Sequence, residues 1–166
     1  MVSQSGGSLG CHQDPAIFAV GHRQPDWISA GCSEYLKRLP PEMAARMIEI
    51  KPEPRGSKSR EQLLAAERSR IDAALPASVR LIVLDEKGDD LTTLKLAGRL
   101  EQWQADGRDA ALLIGGADGL DPALKARAAE KIRLSSLTLP HGLARLLLCE
   151  QLYRAFSINA GTKYHK

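Results

Sequence analysis

The sequence predicts an α/β protein built on one mostly parallel sheet with helices on both faces. Short apolar runs alternate with stretches of roughly 12 to 16 residues that carry helical periodicity, the rhythm of repeated βαβ units. The runs are almost continuously apolar, as strands buried on both faces are. Hydrophobic residues make up 43% of the 166 residues and charged residues 26%, a balance that supports one core and leaves little room for a second domain.

Each element follows from local signals. Ile17–Val20 is the first expected strand. Pro25 and Asp26 suit a helix start, and that helix is expected to run to about Leu39, where Pro40 and Pro41 stop it. Arg46–Ile50 is the second strand. Residues 51–58 hold two prolines, a glycine and three basic residues, so they read as an exposed loop. Ser59 and Gln62 have capping-box spacing ahead of a helix through about Ala74. Arg80–Leu84 is the third strand, followed by a turn at Gly88. Leu96, Leu100 and Trp103 recur at i, i+4 and i+7 in the next helix, which Gly107 closes. Ala110–Ile114 is the fourth strand. Asp121 and Pro122 are an N-cap residue and an N1 proline. Leu134–Leu139 is expected to be the fifth strand or its approach, broken by Pro140. A last helix spans about Gly142 to Ser157. Its polar residues Arg145, Glu150, Gln151 and Arg154 do not share one face, so it is expected to pack on several sides.

Composition excludes several classes. The cysteines Cys11, Cys32 and Cys149 form no CxxC, which argues against a disulfide framework or a thiolate metal site. Cys149 reads as a buried small hydrophobe and Cys32 as a helix-surface thiol. Residues 1–15 are rich in Gly, Ser and Gln and lack an apolar core, so they read as a disordered extension and not a signal peptide. No run is long and apolar enough for a membrane span, and a reducing, cytoplasmic setting is expected. The formal charge of +3 is a mild basic bias that names no partner alone.

Ligands in open parallel sheets bind beyond the carboxyl ends of strands, here residues 84–88, 115–119 and 135–140. Gly115-Gly116-Ala117-Asp118-Gly119 is the strongest local signal. Adjacent glycines after a buried strand permit a tight turn and close approach of a ligand, and a plain βα turn has the same pattern. It is neither GxGxxG nor a P-loop, which disfavours a dinucleotide or a nucleoside triphosphate. Asp118 reads as a turn or cap residue. Ser135-Ser136-Leu137-Thr138-Leu139-Pro140-His141 mixes hydroxyls with leucines, a pattern that suits either an adenine pocket or a strand stopped by proline. His141 suits a base or a satisfied structural histidine equally. Arg145, Tyr153, Arg154, Tyr164, His165 and Lys166 bring basic and aromatic groups toward the C-terminus, where they can stack a base and hold phosphate. Arg23, Lys37, Arg38, Arg55, Lys58 and Arg60 are further phosphate candidates or ordinary solvated surface. The acidic group Asp85, Glu86, Asp89 and Asp90 reads as a charged loop, and no metal-ligand motif is present in the sequence.

Pro25-Asp26-Trp27, Glu34-Tyr35-Leu36-Lys37-Arg38, Leu84-Asp85, Leu112 to Leu120 (LLIGGADGL), Leu134 to His141 (LSSLTLPH) and Glu150 to Ala155 (EQLYRA) together resemble the RlmH family. These are the YbeA-like pseudouridine N3-methyltransferases of large-subunit (23S) ribosomal RNA, of the SPOUT class. The likeness runs from about Phe18 to Lys166. It implies a single α/β-knot domain over residues 16–166, with a C-terminal trefoil knot, and a homodimer whose knotted regions face each other. It implies S-adenosylmethionine as cofactor, held by Leu84, Gly115, Gly116 and Ser135, Ser136, Leu137, Thr138, Leu139 and Pro140. It implies a pseudouridine on the assembled ribosome as substrate, and no membrane partner. On this resemblance Tyr153, Arg154 and His165 are the expected catalytic residues, and Arg23, His141, Arg154, Tyr164, His165 and Lys166 contact the RNA. The chain departs from the family pattern at Asp89, where Lys is usual, and in its tail, Thr162-Lys163-Tyr164-His165-Lys166, which lacks the usual proline and ends in Lys instead of Arg.

Two other readings fit the residues: a non-catalytic RNA-binding or ribosome-assembly protein of the same fold, and a metabolite enzyme of ordinary open-sheet topology without a knot.

Overall fold

The computed structural model describes residues 15–165, with His165 described for its backbone alone. The expected N-terminal extension lies outside the described residues but for Pro15, and so does Lys166. Strands β1 (Ala16–Val20), β2 (Arg46–Ile50), β3 (Arg80–Asp90), β4 (Ala110–Ile114) and β5 (Glu130–Arg133) form a sheet in the order β2-β1-β4-β3-β5, and every pairing is parallel. Helices α1 (Asp26–Leu36), α2 (Arg60–Ala74), α3 (Thr93–Ala105), α4 (Pro122–Arg127) and α5 (His141–Asn159) join and cover the strands.

Alternation along the strands assigns each helix to a face. Ile17, Ala19, Ile82, Leu112 and Ile114 pack with residues of α1, α3 and α5 such as Ile28, Leu100, Trp103 and Leu152. Phe18, Val20, Leu81, Val83 and Leu113 pack with Ile71 of α2 and Leu124 of α4. All five residues of β1 and all five of β4 are buried, which explains their unbroken apolar sequences. The caps match their signals. Ser59 Oγ accepts from the Gln62 amide at 3.2 Å and Gln62 Oε1 accepts from the Ser59 amide at 3.0 Å, a complete capping box. Asp121 caps α4 by accepting from the Ala123 amide at 2.8 Å, with Pro122 at N1.

Four expectations need correction. The segment 134–139 is not a strand. The strand is Glu130–Arg133, where Ile132 pairs with β3 and Glu130 is pinned by Trp103 Nε1 at 2.6 Å and by Arg99. Gly88 is not a turn after β3 but part of it. Leu84 and Asp89 both pair with Ile132, so residues 85–88 make an excursion and return to the same partner. A Cβ on Gly88 would lie 2.7 Å from the backbone of Ile132, so only glycine permits that approach. Helix α1 stops at Leu36, not Leu39, and the chain turns through Lys37–Leu39 before Pro40. Cys32 is not a surface thiol: it is buried in the α1–α5 contact, in the same core cluster as the fully buried Cys149. The multi-sided packing expected of α5 is present, with Arg145, Leu148, Cys149, Leu152, Ala155 and Ser157 all buried.

Strand β1 has β2 on one side and β4 on the other. The chain therefore diverges at the carboxyl ends of β1 and β4, the place where open sheets form a ligand crevice.

Candidate active site

The crevice is assembled from three chain segments. Strand β4 ends in Gly115 and Gly116, and a tight turn closes when the Gly119 amide donates to the Gly116 carbonyl at 3.0 Å. The two glycines serve different ends. A Cβ on Gly115 would stand 2.8 Å from Leu120 and 2.9 Å from the Gly119 backbone, so Gly115 is required by the turn itself. A Cβ on Gly116 would meet nothing closer than 3.4 Å, so packing does not demand glycine there. Beside this turn lies the 85–88 excursion that follows Leu84 of β3. The segment 134–140 then leaves the edge strand β5 and brings the chain to His141, whose Nδ1 lies 3.1 Å from the Gly115 carbonyl. All nine residues expected at the cofactor belong to these three neighbouring segments.

The segment 135–140 is open. Ser136, Leu137, Thr138 and Pro140 are exposed, and Leu137 leaves 74% of its surface in water. Ser135 Oγ accepts from the Leu137 amide at 2.9 Å, which fixes the start of the loop. A leucine turned outward beside hydroxyls, backbone amides and a glycine with room above it is a donor set for an apolar ring with polar edges. S-adenosylmethionine fits that description. No carboxylate or thiolate cluster with metal-ligand spacing occurs among the described residues.

A polar chain that runs from exposed Glu49 through buried Arg145 to half-buried His141 backs the turn. Arg145 Nε donates to His141 Nε2 at 2.8 Å, and Arg145 Nη1 donates to Glu49 Oε1 at 2.8 Å. Arg145 is 2% exposed, and its Nη2 has no hydrogen-bond partner. Because Nε2 accepts, the ring proton sits on Nδ1 and is donated to the Gly115 carbonyl. Burial first, and then the Arg145 charge, push the His141 imidazole below its ordinary value. His141 is therefore a neutral, doubly engaged residue. Both ring nitrogens are thus engaged within the fold, as in the structural alternative weighed for this histidine.

The remaining candidates stand elsewhere. Arg23 follows the end of β1, is freely exposed, and makes only a 3.5 Å contact with Asp26. Tyr153 and Arg154 lie twelve and thirteen residues along α5 from His141, about 18 Å away at 1.5 Å per residue. There the tail folds back, with the Thr162 amide donating to the Ser157 carbonyl at 3.0 Å. Tyr164 meets Tyr153 edge to face at 4.5 Å between centroids, and Arg154 stacks over Tyr164 at 5.0 Å. Arg38 of α1 stacks over Tyr35 at 5.1 Å and Tyr153 at 5.6 Å. Glu150 accepts from Arg154 Nε at 2.8 Å and pairs with its Nη2 at 2.6 Å. Burial first, then a hydrogen bond with Tyr35, push the Tyr164 phenol up to about 12, so it is a proton donor at neutral pH. The side chains of His165 and Lys166 lie outside the described residues.

The candidate residues thus fall into two groups at opposite ends of α5. Sequence reasoning missed the Glu49–Arg145–His141 chain and the contact of Gly21 with it. One signal was present: Arg145 is the lone charge in the apolar run Leu143–Cys149, four residues from His141.

A family model described as predicted SPOUT methyltransferase matches residues 14–165 of the chain. The chain is 70% identical to "Ribosomal RNA large subunit methyltransferase H" of Dechloromonas aromatica (strain RCB) over 151 residues, covering 91% of this chain and 97% of that protein. It is 59% identical to the protein of the same name from Paraburkholderia xenovorans (strain LB400), covering 90% and 97%. A probable methylase family protein from Haemophilus influenzae Rd KW20 shares the fold at a TM-score of 0.54, with 12% identity over 93% of this chain and 70% of that one.

Proposed function

The chain belongs to the SPOUT methyltransferase family, and on that premise we propose that it methylates N3 of a pseudouridine in 23S ribosomal RNA with S-adenosylmethionine, as a cytoplasmic homodimer acting on the assembled ribosome. The observation that carries this reading is the meeting of the Gly115–Gly116 turn with the outward-facing 135–140 loop at the sheet's switch point.

Bound there, S-adenosylmethionine supplies an electrophilic methyl group. Leu84, Leu137 and Leu139 would pack the adenine, and backbone groups of 115–116 and 135–140 would hold its edge. Fixing the orientation of cofactor and base in this way would supply much of the acceleration. No lysine or arginine side chain belongs to the proposed cofactor set, which suits a positively charged sulfonium. At the other half-site Arg154 holds RNA phosphate or steadies charge on a base carbonyl. Tyr153 and Tyr164 orient the target base, with Tyr164 donating from its protonated hydroxyl. Nucleophilic attack requires N3 to lose its proton, and His165 accepts it or positions the water that does. Arg23, His165 and Lys166 complete the RNA-facing set.

The distance of about 18 Å along α5 supports a site shared by two chains, with the cofactor loops of one protomer facing the tail of its partner. Exposed Trp27 and Leu143, on the first turns of α1 and α5, supply apolar surface for such a pairing. The threaded C-terminal path implied by the resemblance belongs to this reading as well. It is supported by the route of residues 134–140 from edge strand β5 back to β4, two strands away.

Labelled S-adenosylmethionine is supplied to intact ribosomes, separated subunits and free rRNA, and the labelled nucleotide is mapped. One methyl per ribosome on a 23S pseudouridine is the expected result. Cofactor binding without any transfer would instead favour a non-catalytic RNA-binding role.

A further inference from the structure

We infer that Gly21, Glu49, His141 and Arg145 form a positioning relay, centred on the buried Arg145 guanidinium, that sets the Gly115 carbonyl, and through it the Gly115–Gly116 turn, for cofactor binding. This rests on the methyltransferase reading above.

The relay joins three parts of the chain. Glu49 comes from β2, Gly21 follows β1, and His141 and Arg145 lie one turn apart on α5. Glu49 aims Arg145, Arg145 fixes the His141 tautomer, and the His141 Nδ1–H holds the Gly115 carbonyl. Gly21 makes the arrangement possible: a Cβ there would stand 2.9 Å from Arg145 Nη2 and 3.0 Å from His141 Nε2.

Stability alone does not account for this design. A guanidinium almost wholly removed from water, with Nη2 left unpaired, costs free energy that a leucine at the same place on an apolar helix would avoid. Buried polar groups retained against that cost, and linked in series to a ligand-binding turn, are the pattern of supports that orient contact residues. The relay also requires a neutral imidazole, since a protonated Nε2 would point its hydrogen at Arg145 Nε–H. The charged and titratable groups around it are Arg145 on its own helix, Glu49 on β2, Cys32 on α1 beyond the guanidinium, and Glu67 on α2 across Gly116.

The test is calorimetric binding of S-adenosylhomocysteine to the wild-type protein and to His141→Phe, His141→Asn and Gly21→Ala, across mildly acidic to neutral pH. Thermal melting of each variant separates misfolding from mispositioning. His141→Phe is expected to weaken binding about ten-fold, the loss of one buried hydrogen bond to the turn. His141→Asn keeps an N–H for the Gly115 carbonyl and recovers most of that loss. Gly21→Ala touches no cofactor segment and yet weakens binding. Wild-type affinity falls as pH drops through the lowered His141 value, and His141→Asn shows no such fall. Equal affinity of His141→Phe and wild type, or the same pH profile in His141→Asn, would overturn the inference. Failure of the wild type itself to bind would count against the methyltransferase reading. In that case amide exchange across Gly116–Leu120 decides the relay: faster exchange in His141→Phe supports it, and unchanged exchange overturns it.

Discussion

The two ends of α5 are built on opposite principles. At its N-terminal end buried Arg145 and half-buried His141 are linked to each other, to Glu49 of β2 and to the Gly115 carbonyl after β4 by bonds of 2.8 to 3.1 Å. At its C-terminal end Tyr153, Arg154 and Tyr164 form a stack of rings and cations that is partly open to water and closed by a folded-back tail. The first end is rigid enough to pre-form a pocket for a small molecule. The second has the chemistry of a nucleic-acid surface, where stacking and phosphate contacts tolerate adjustment. On the proposed assignment the contrast makes cofactor binding and substrate handling separable, so that single substitutions strike one without the other.

Arg154→Ala gives the largest expected effect. It removes the charge at the substrate end and is expected to lower kcat on ribosomes by roughly 100-fold or more, the scale of one lost electrostatic donor, with affinity for S-adenosylhomocysteine unchanged. Single-turnover methylation beside calorimetry reads both. Gly116→Ala strikes the other end. The added methyl group is in ordinary contact with Val20 and Glu67, so the fold is kept, yet it occupies the space a ligand needs. Cofactor affinity is expected to fall roughly ten- to 100-fold with little change in Tm. A large loss of Tm would mean that the glycine serves packing after all. Tyr164→Phe sharpens the picture of the tail. Its hydroxyl meets Glu150 at 3.4 Å and interacts with Tyr35, so stability is expected to fall by about 1 kcal/mol at most, and turnover a few-fold where the hydroxyl meets the RNA base.

The smallest effect concerns Glu67, which is buried beneath the diglycine turn and accepts from the Glu53 amide at 3.0 Å. Burial chiefly, with the nearby Asp118 and Glu53 charges, raises its carboxyl above the ordinary 4.5. A raised acid binds its proton more tightly when folded, so the ionised group lowers stability once pH exceeds the ordinary value. Glu67→Gln keeps an acceptor and removes that charge. Its Tm is expected to exceed wild type by a degree or two near neutral pH, with the gap closing as pH falls toward 4.5. A lower Tm at neutral pH would mean that the carboxylate is stabilising.

Much of this was legible in the sequence because the signals were local. The strands Arg46–Ile50 and Ala110–Ile114, the capping box at Ser59 and the Asp121–Pro122 helix start depend on neighbours in the chain, and all occur where their patterns place them. The errors came where distant partners decide. Leu134–Leu139 is apolar enough for a strand, but β3 pairs instead with Ile132, and the leucines are left for the crevice. Gly88 reads as a turn residue because nothing local shows that it presses on β5. Cys32 and Cys149 meet across 117 positions, and Arg145 and Glu49 across 96, so neither pair announces itself in a linear reading. The site residues came from resemblance, which named their types without revealing that α5 holds them apart.

Mixing two disabled chains tests the shared site most directly. Gly116→Ala is weakened at the cofactor end and Arg154→Ala at the substrate end, and with cofactor held well below the Kd of Gly116→Ala each alone is nearly inactive on ribosomes. Random reassociation of the two gives heterodimers in about half the population, each with one intact composite site, so activity is predicted to return to about a quarter of the wild-type rate. Activity that stays at the level of the separate variants, with heterodimers confirmed by native mass spectrometry, would place the whole reaction within a single protomer and contradict the account.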